Sequence, residues 1–308
     1  MGSCPTEKTP AKKQNNTGEK KMKSIARLLF IELLRMLSIA VSALSSVAMA
    51  FVLVPITHYA AMLVGLEGIK SDAESYVWVA VVAFSPVWLA FVLPYWAERF
   101  LDVENGGRAP STRETELIDR VHAHLVKAAE KREVKLPKVV YRVIDTGQIN
   151  ACAYGRNRVA FTRGLLHRHG TDGIEHLAAI AAHEMGHLRN WDTRFMMANR
   201  FLGLPVNLAI SILNNTVNRI PFIGLFGFLL LIAFRLPADI GQFLLRLSSQ
   251  STEYQADAFA RKVLGSEGMA AALDELGHSD EWHGGSVTDT VTRSHPSSEL
   301  RRDRVLHG

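Results

Sequence analysis

"TDGIEHLAAIAAHEMGHLRN", Thr171 to Asn190, is the stretch on which the fold turns. Ile174, Leu177, Ala181, Met185 and Leu188 recur at helical spacing, which predicts a helix with one apolar face. Asp172, with Glu175 three residues on, predicts its N-cap as a capping-box variant. On such a helix, residues i and i+4 lie one turn apart on the same face. His183 and His187 therefore offer two imidazole nitrogens to one ion, and Glu184 sits beside them. This is the mechanical sense of H-E-x-x-H. The ion lowers the pKa of its water toward ~7 and polarises a carbonyl. The glutamate takes the water's proton and passes it to the leaving amine.

A catalytic zinc takes three protein ligands and keeps one position open. "HEMGHLRNWDTRF" supplies no third histidine at short range. "SSQSTEYQADAFARKVLG", Ser248 to Gly265, predicts a second amphipathic helix with Glu253 and Asp257 one turn apart. Glu253 is the expected third ligand, and Asp257 the carboxylate that holds an imidazole N–H from behind. His176 is the rival ligand, two turns of rise from the pair. Two imidazoles and one carboxylate suit zinc, so one Zn(2+) per chain is the expected cofactor.

Outward from this core the chain alternates between charged blocks and long apolar runs. Met36–Ile56 and Tyr76–Trp96 are each 21 residues without a charge. As helices each is long enough to span a hydrocarbon core of ~30 Å. The arm ahead of the first run carries seven Lys and Arg residues between Lys8 and Arg27, whereas the loop between the runs holds only Lys70. The positive-inside bias thus predicts a cytoplasmic N-terminus and, after two crossings, a cytoplasmic catalytic part. His187 and Glu253 must meet on one side, so the chain between them crosses an even number of times. Phe201–Asn218 and Ile220–Phe234 predict a membrane-embedded hairpin there, with two buried core helices of a soluble domain as the alternative.

The resulting layout is a flexible basic arm (1–24) and two transmembrane helices with a short external loop (25–97). A zincin-like part with the zinc helix (98–200) and the helical hairpin (201–247) follow. The third-ligand helix and tail (248–308) complete the catalytic domain. The expected fold class is an α+β membrane protein, mainly helical, with a small β-sheet. "STRETELIDRVHAHLVKAAEKREV" predicts an amphipathic helix on Leu117, Val121, Leu125 and Ala128, and "PKVVYRVI" and "NRVAFT" predict strands. The strand near 157–162 precedes the zinc helix and is the expected edge for strand addition by substrate. Asn150 either holds substrate backbone or satisfies local amides in a turn.

The net charge of +5 goes with membrane orientation, since no aromatic-basic interleaving or finger spacing points to nucleic acid. Two cysteines, Cys4 and Cys152, exclude a disulfide framework. The opening "MGSCPT" matches an N-myristoylation pattern, with an unacylated polar tail as the alternative.

These residues resemble those of HtpX-type membrane zinc metalloproteases, in the family that also holds the CAAX prenyl proteases. "AAHEMGH" resembles the zinc helix and "EYQAD" the downstream ligand motif. "NACAYG" resembles an upstream Asn-Ala-x-Ala-x-Gly segment, and "SHPSSELRR" a C-terminal His-Pro segment ending in a basic residue. The likeness covers roughly residues 25–305. It implies an inner-membrane, cytoplasm-facing endopeptidase in quality control and the stress response, acting on membrane or misfolded proteins. It also points to His295 and to Arg301 or Arg302 as contacts of substrate or transition state, with His295 either an oxyanion donor or a surface histidine ahead of a helix. Cys152 stands where the family carries an aromatic, and the Lys-rich arm is longer than is typical. A CAAX-type prenyl protease and a non-catalytic scaffold with structural zinc are the competing functions. The first asks for more apolar runs, and the second for a fourth Cys or His ligand.

Overall fold

The computed structural model describes residues 11–63, 88–216, 223–266 and 298–307, together with 65, 77, 81, 85, 268–270 and 273. The described chain is mainly helical, with one small mixed sheet. In order it runs α1 (Ala11–Leu63), α2 (Pro94–Glu104), β1 (Gly107–Arg108), α3 (Thr112–Lys131), β2 (Val140–Ile144), β3 (Ala151–Tyr154) and β4 (Arg158–Thr162). It continues with α4 (Arg163–His169), α5 (Ile174–Arg189), α6 (Asp192–Thr216), α7 (Ile223–Leu264) and α8 (Ser298–His307).

The core forms where α3 and α5 cover the sheet and α7 closes over α5. Val121 and Leu125 are fully buried as the α3 pattern predicts, and Ile118 and Ala129 join them while Leu117 and Ala128 lie half-buried. Across from them pack Val143, Val159 and Phe161 of the sheet. The Ser111 N–H donates to Glu114 Oε2 at 2.7 Å, which pins the first turn of α3. Helix α5 is buried from Leu177 to Gly186 without a solvent face, because sheet, α3 and α7 surround it. Its start differs from expectation. Gly173, not Asp172, is the N-cap, since the Gly173 N–H is tied to His169 O at 2.9 Å and leaves Asp172 outside the helix.

The strand order is β1-β2-β4-β3, with β2 and β4 parallel and the outer pairs antiparallel. This corrects the expected edge. β4 is paired on both sides and buried at all five residues, so it has no backbone to offer a substrate. Because β4 inserts between β2 and β3, the edge strand beside α5 is β3, the "ACAY" of the quoted segment. Asn150 O accepts from Thr162 N at 3.0 Å, which fixes 150 and 162 as a hydrogen-bonded pair. Alternation then turns the backbone of Cys152 and Tyr154 toward β4 and that of Ala151 and Ala153 toward the open edge.

Helix α1 opens at Ala11, so residues 11–24, read as a flexible arm, continue the helix. Nucleation is the costly step, and a lysine-rich extension of an existing helix costs little. Among the described residues, one helical stretch, Ile25–Met49, is long and apolar enough to cross a membrane. Ile31, Leu34 and Met49 are buried, but over the middle of the stretch burial is inverted relative to a soluble helix. Leu29, Leu33, Met36 and Leu44 are exposed, while Ser38, Ser42, Ser45 and Ser46 face α6 and α7. Ser38 donates to Gly241 O (2.6 Å), and Ser42 to Asn199 Oδ1 (2.8 Å). Small and polar residues inside with large apolar ones outside are what helix contacts in lipid require. Most of the second run, Tyr76–Trp96, lies outside the described residues. In the expected hairpin, 201–216 belongs to α6 and 223–247 to α7, and the turn between lies outside the described residues.

Candidate metal centre

The site forms where α5 crosses α7. His183, Gly186 and His187 occupy one face of α5, and Glu253, Ala256 and Asp257 repeat the same spacing on α7. Gly186 and Ala256 are the contact point. A Cβ on Gly186 lies 2.6 Å from Ala256 Cα, a distance that only separation of the two helices relieves. Gly186→Ala gains about 1 kcal/mol of helix propensity. The overpacking costs about 1–3 kcal/mol or more, and here it is against backbone. The clash wins: a melting point lower by several °C and weaker metal retention are expected by thermal denaturation and metal analysis.

That close crossing brings three donor groups together. One ligand atom from each of His183, His187 and Glu253 lies within 4.8 Å of the others. His183 Nε2 is 3.2 Å from Glu253 Oε2 and 3.2 Å from His187 Nε2, which is 3.4 Å from Glu253 Oε1. Each imidazole is held from behind at its other nitrogen. Asp257 Oδ1 lies 2.9 Å from His183 Nδ1, and Asp192 Oδ2 lies 2.8 Å from His187 Nδ1. Both Nε2 atoms thus face inward with their tautomer set by a carboxylate. Arg301 of α8 clamps Asp257 through Nε (2.9 Å) and Nη2 (2.6 Å) and comes within 3.7 Å of Glu253 Oε2.

Burial and charge test the donor set. Glu184, Asp192, Glu253 and Asp257 are buried, as are Arg35 and Arg301. Four carboxylates against two guanidiniums leave two negative charges beside neutral imidazoles, and uncompensated buried charge is costly. A divalent cation on His183, His187 and Glu253 restores neutrality, and two nitrogens and an oxygen suit zinc. The protonation tendencies agree with this excess. Burial works against the His183 imidazolium, yet bonds to Asp257 and Glu253 push its pKa up to about 9. Burial raises Asp257, but Arg301 and His183 hold it below the usual carboxylate range. Burial also opposes the Arg301 charge, and Asp257 more than offsets this. Burial, aided by the Glu184 carboxylate, pushes the Cys152 thiol up to about 12, so it is an inert neighbour of Glu184.

The remaining sequence-derived residues fall as follows. Glu184 lies on α5 beside the ligand face, near Cys152 and Arg301. Asn150 is exposed, and its Oδ1 accepts from the Ala151 N–H at 2.9 Å. Of the two adjacent arginines, Arg301 is buried at the cluster and Arg302 is exposed. His176 stacks on His169 with ring centroids 5.5 Å apart and stands outside the cluster. His295 lies outside the described residues. Sequence reasoning missed Asp192. Its signal is an aspartate five residues past His187 that opens the next helix, α6.

The chain belongs to peptidase family M48, whose model matches residues 115–307. Within that family the likeness runs to HtpX proteases. The HtpX protease homologue of Acidiphilium cryptum is 29% identical over 265 residues, covering 75% of this chain and 89% of the relative. The HtpX protease of Shewanella halifaxensis is 26% identical over 216 residues, covering 65% and 72%. Among solved structures, S. mikatae Ste24p matches with a TM-score of 0.45 and 21% identity, over 76% of this chain and 59% of that one.

Proposed function

We propose that this protein is a membrane-embedded zinc endopeptidase that cuts membrane or misfolded proteins in cytoplasmic quality control. The observation that carries the proposal is the meeting of His183, His187 and Glu253 beside Glu184, next to an open strand edge. His183, His187 and Glu253 hold the zinc. The bound metal supplies Lewis acidity to a water and to the scissile carbonyl.

The chain's own groups do the rest. Substrate adds to β3 as a further strand, exchanging backbone hydrogen bonds with Ala151 and Ala153. Asn150 Oδ1, which accepts from the Ala151 N–H, stands in for a substrate carbonyl and yields to it. Glu184 accepts the proton of the attacking water and delivers it to the leaving nitrogen. His295 donates to the oxyanion. Asp257 and Asp192 fix the two imidazoles, and Arg301 keeps Asp257 ionised.

The membrane reading rests on the inverted burial of α1 and on its packing with α6 and α7. We place two spans within 25–97 and the hairpin at 201–247, with arm and active site cytoplasmic, as in a bacterial inner membrane. Pro237 inside α7 fits such a setting, since neighbouring membrane helices re-satisfy the backbone it frees.

The test is metal analysis beside proteolysis on detergent-purified protein. About one zinc per chain is expected, with casein cleavage abolished by a chelator and restored by stoichiometric zinc. Cleavage that survives complete metal removal overturns the proposal. A zinc-loaded, folded chain that cleaves neither casein nor a membrane substrate returns the scaffold function.

A further inference from the structure

Asp192 does not hold His187 alone. Arg35, on α1 just before the first apolar run, is 2% exposed and fixed on every side. Its Nη2 pairs with Asp192 Oδ1, and its Nη1 donates to Glu32 Oε1 (2.7 Å) and Asn190 O (3.3 Å). Its guanidinium lies over the Phe195 ring, 5.1 Å from the centroid. The other Asp192 oxygen is the one that meets His187 Nδ1. Contacts therefore run unbroken from α1, through α6, to the nitrogen that faces Glu253.

An arginine on the buried face of a helix is costly unless it is paired. Here the two oxygens of one carboxylate are divided between a guanidinium and an imidazole. That division fixes the carboxylate plane and, with it, the ring of His187. A carboxylate bonded only to the imidazole keeps the freedom to swing away from it. We propose that Arg35 is a positioning residue of the metal centre. It acts through Asp192 on His187, so that metal affinity depends on α1 being seated against α6. By linkage the dependence runs both ways, and a loaded centre holds α1 in place. This inference rests on the reading of His183, His187 and Glu253 as zinc ligands.

The experiment is a double-mutant cycle on full-length protein in detergent, with zinc affinity read by chelator competition and ligand geometry by the visible spectrum of the cobalt-substituted protein. Arg35→Gln is expected to weaken zinc about 10–100-fold, the range for supporting groups of a metal ligand, and to shift the cobalt bands. Asp192→Asn does the same. The double variant binds no more weakly than Asp192→Asn alone, because Arg35 acts only through Asp192. Arg35→Lys recovers part of the loss, keeping the charge without the planar fork. In wild type, zinc removal speeds hydrogen exchange over residues 31–38, and in Arg35→Gln that exchange no longer responds to zinc.

Wild-type zinc affinity in Arg35→Gln, or losses that add fully in the double variant, overturns the inference. A residue that only packs α1 gives additive losses. Should Arg35→Gln not accumulate as folded protein, Arg35→Lys with Asp192→Asn closes the same cycle. Failure of the ligand reading looks different: wild type itself then takes up no zinc, and the inference falls with it.

Discussion

Glu184→Gln leaves the protein with its full zinc content and lowers casein cleavage by roughly 10²–10⁴-fold, the usual worth of a positioned general base. The two halves of this result have separate causes. Metal content is unchanged because the converging donor atoms come from His183, His187 and Glu253, and Glu184 contributes none. Activity falls because glutamine keeps the shape and burial of the side chain but cannot accept a proton from water. The neighbourhood tolerates the swap. Cys152, the β3 residue that feels the Glu184 charge, is a neutral thiol, and Arg301 keeps Asp257 as its partner. Stability is therefore expected to change little, so lost activity is not lost fold. A Glu184→Gln protein that cuts within a few-fold of wild type places the proton transfer elsewhere.

How far this was legible from the sequence depends on what each feature needs. The ligand face of α5 follows from helical periodicity alone, because i and i+4 share a face whatever surrounds them. The pairing with Glu253 was legible only as the best remaining carboxylate. What makes the two helices meet is the Gly186–Ala256 contact, and two small residues 70 positions apart carry no signal of touching. The strand pattern gave β2 and β4 but not their neighbours. Edge or centre depends on where the β3–β4 hairpin inserts, and a buried central strand and an edge strand of five residues look alike in composition. Nothing in the sequence marks Arg35 as more than one charge at the border of the first apolar run. Its partner Asp192 is 157 residues away, and the pair is visible only once α1 lies against α6.

Glu253→Ala carries the second large effect: protein purified without zinc and without cleavage, at unchanged expression. Removing supporting groups of a metal ligand costs about 10–100-fold in affinity, and loss of a ligand itself exceeds that. The site left behind has two imidazoles on one helix and no carboxylate opposite them, too few donors for a closed tetrahedral centre. Local packing survives, since Asp257 and Arg301 keep their bidentate pair and Asp257 still meets His183. His176→Ala is the matched control, since that ring stacks on His169 away from the cluster and its removal leaves zinc and cleavage as they were. Full zinc stoichiometry in Glu253→Ala, or its loss in His176→Ala, means that α5 draws its third donor from somewhere other than α7.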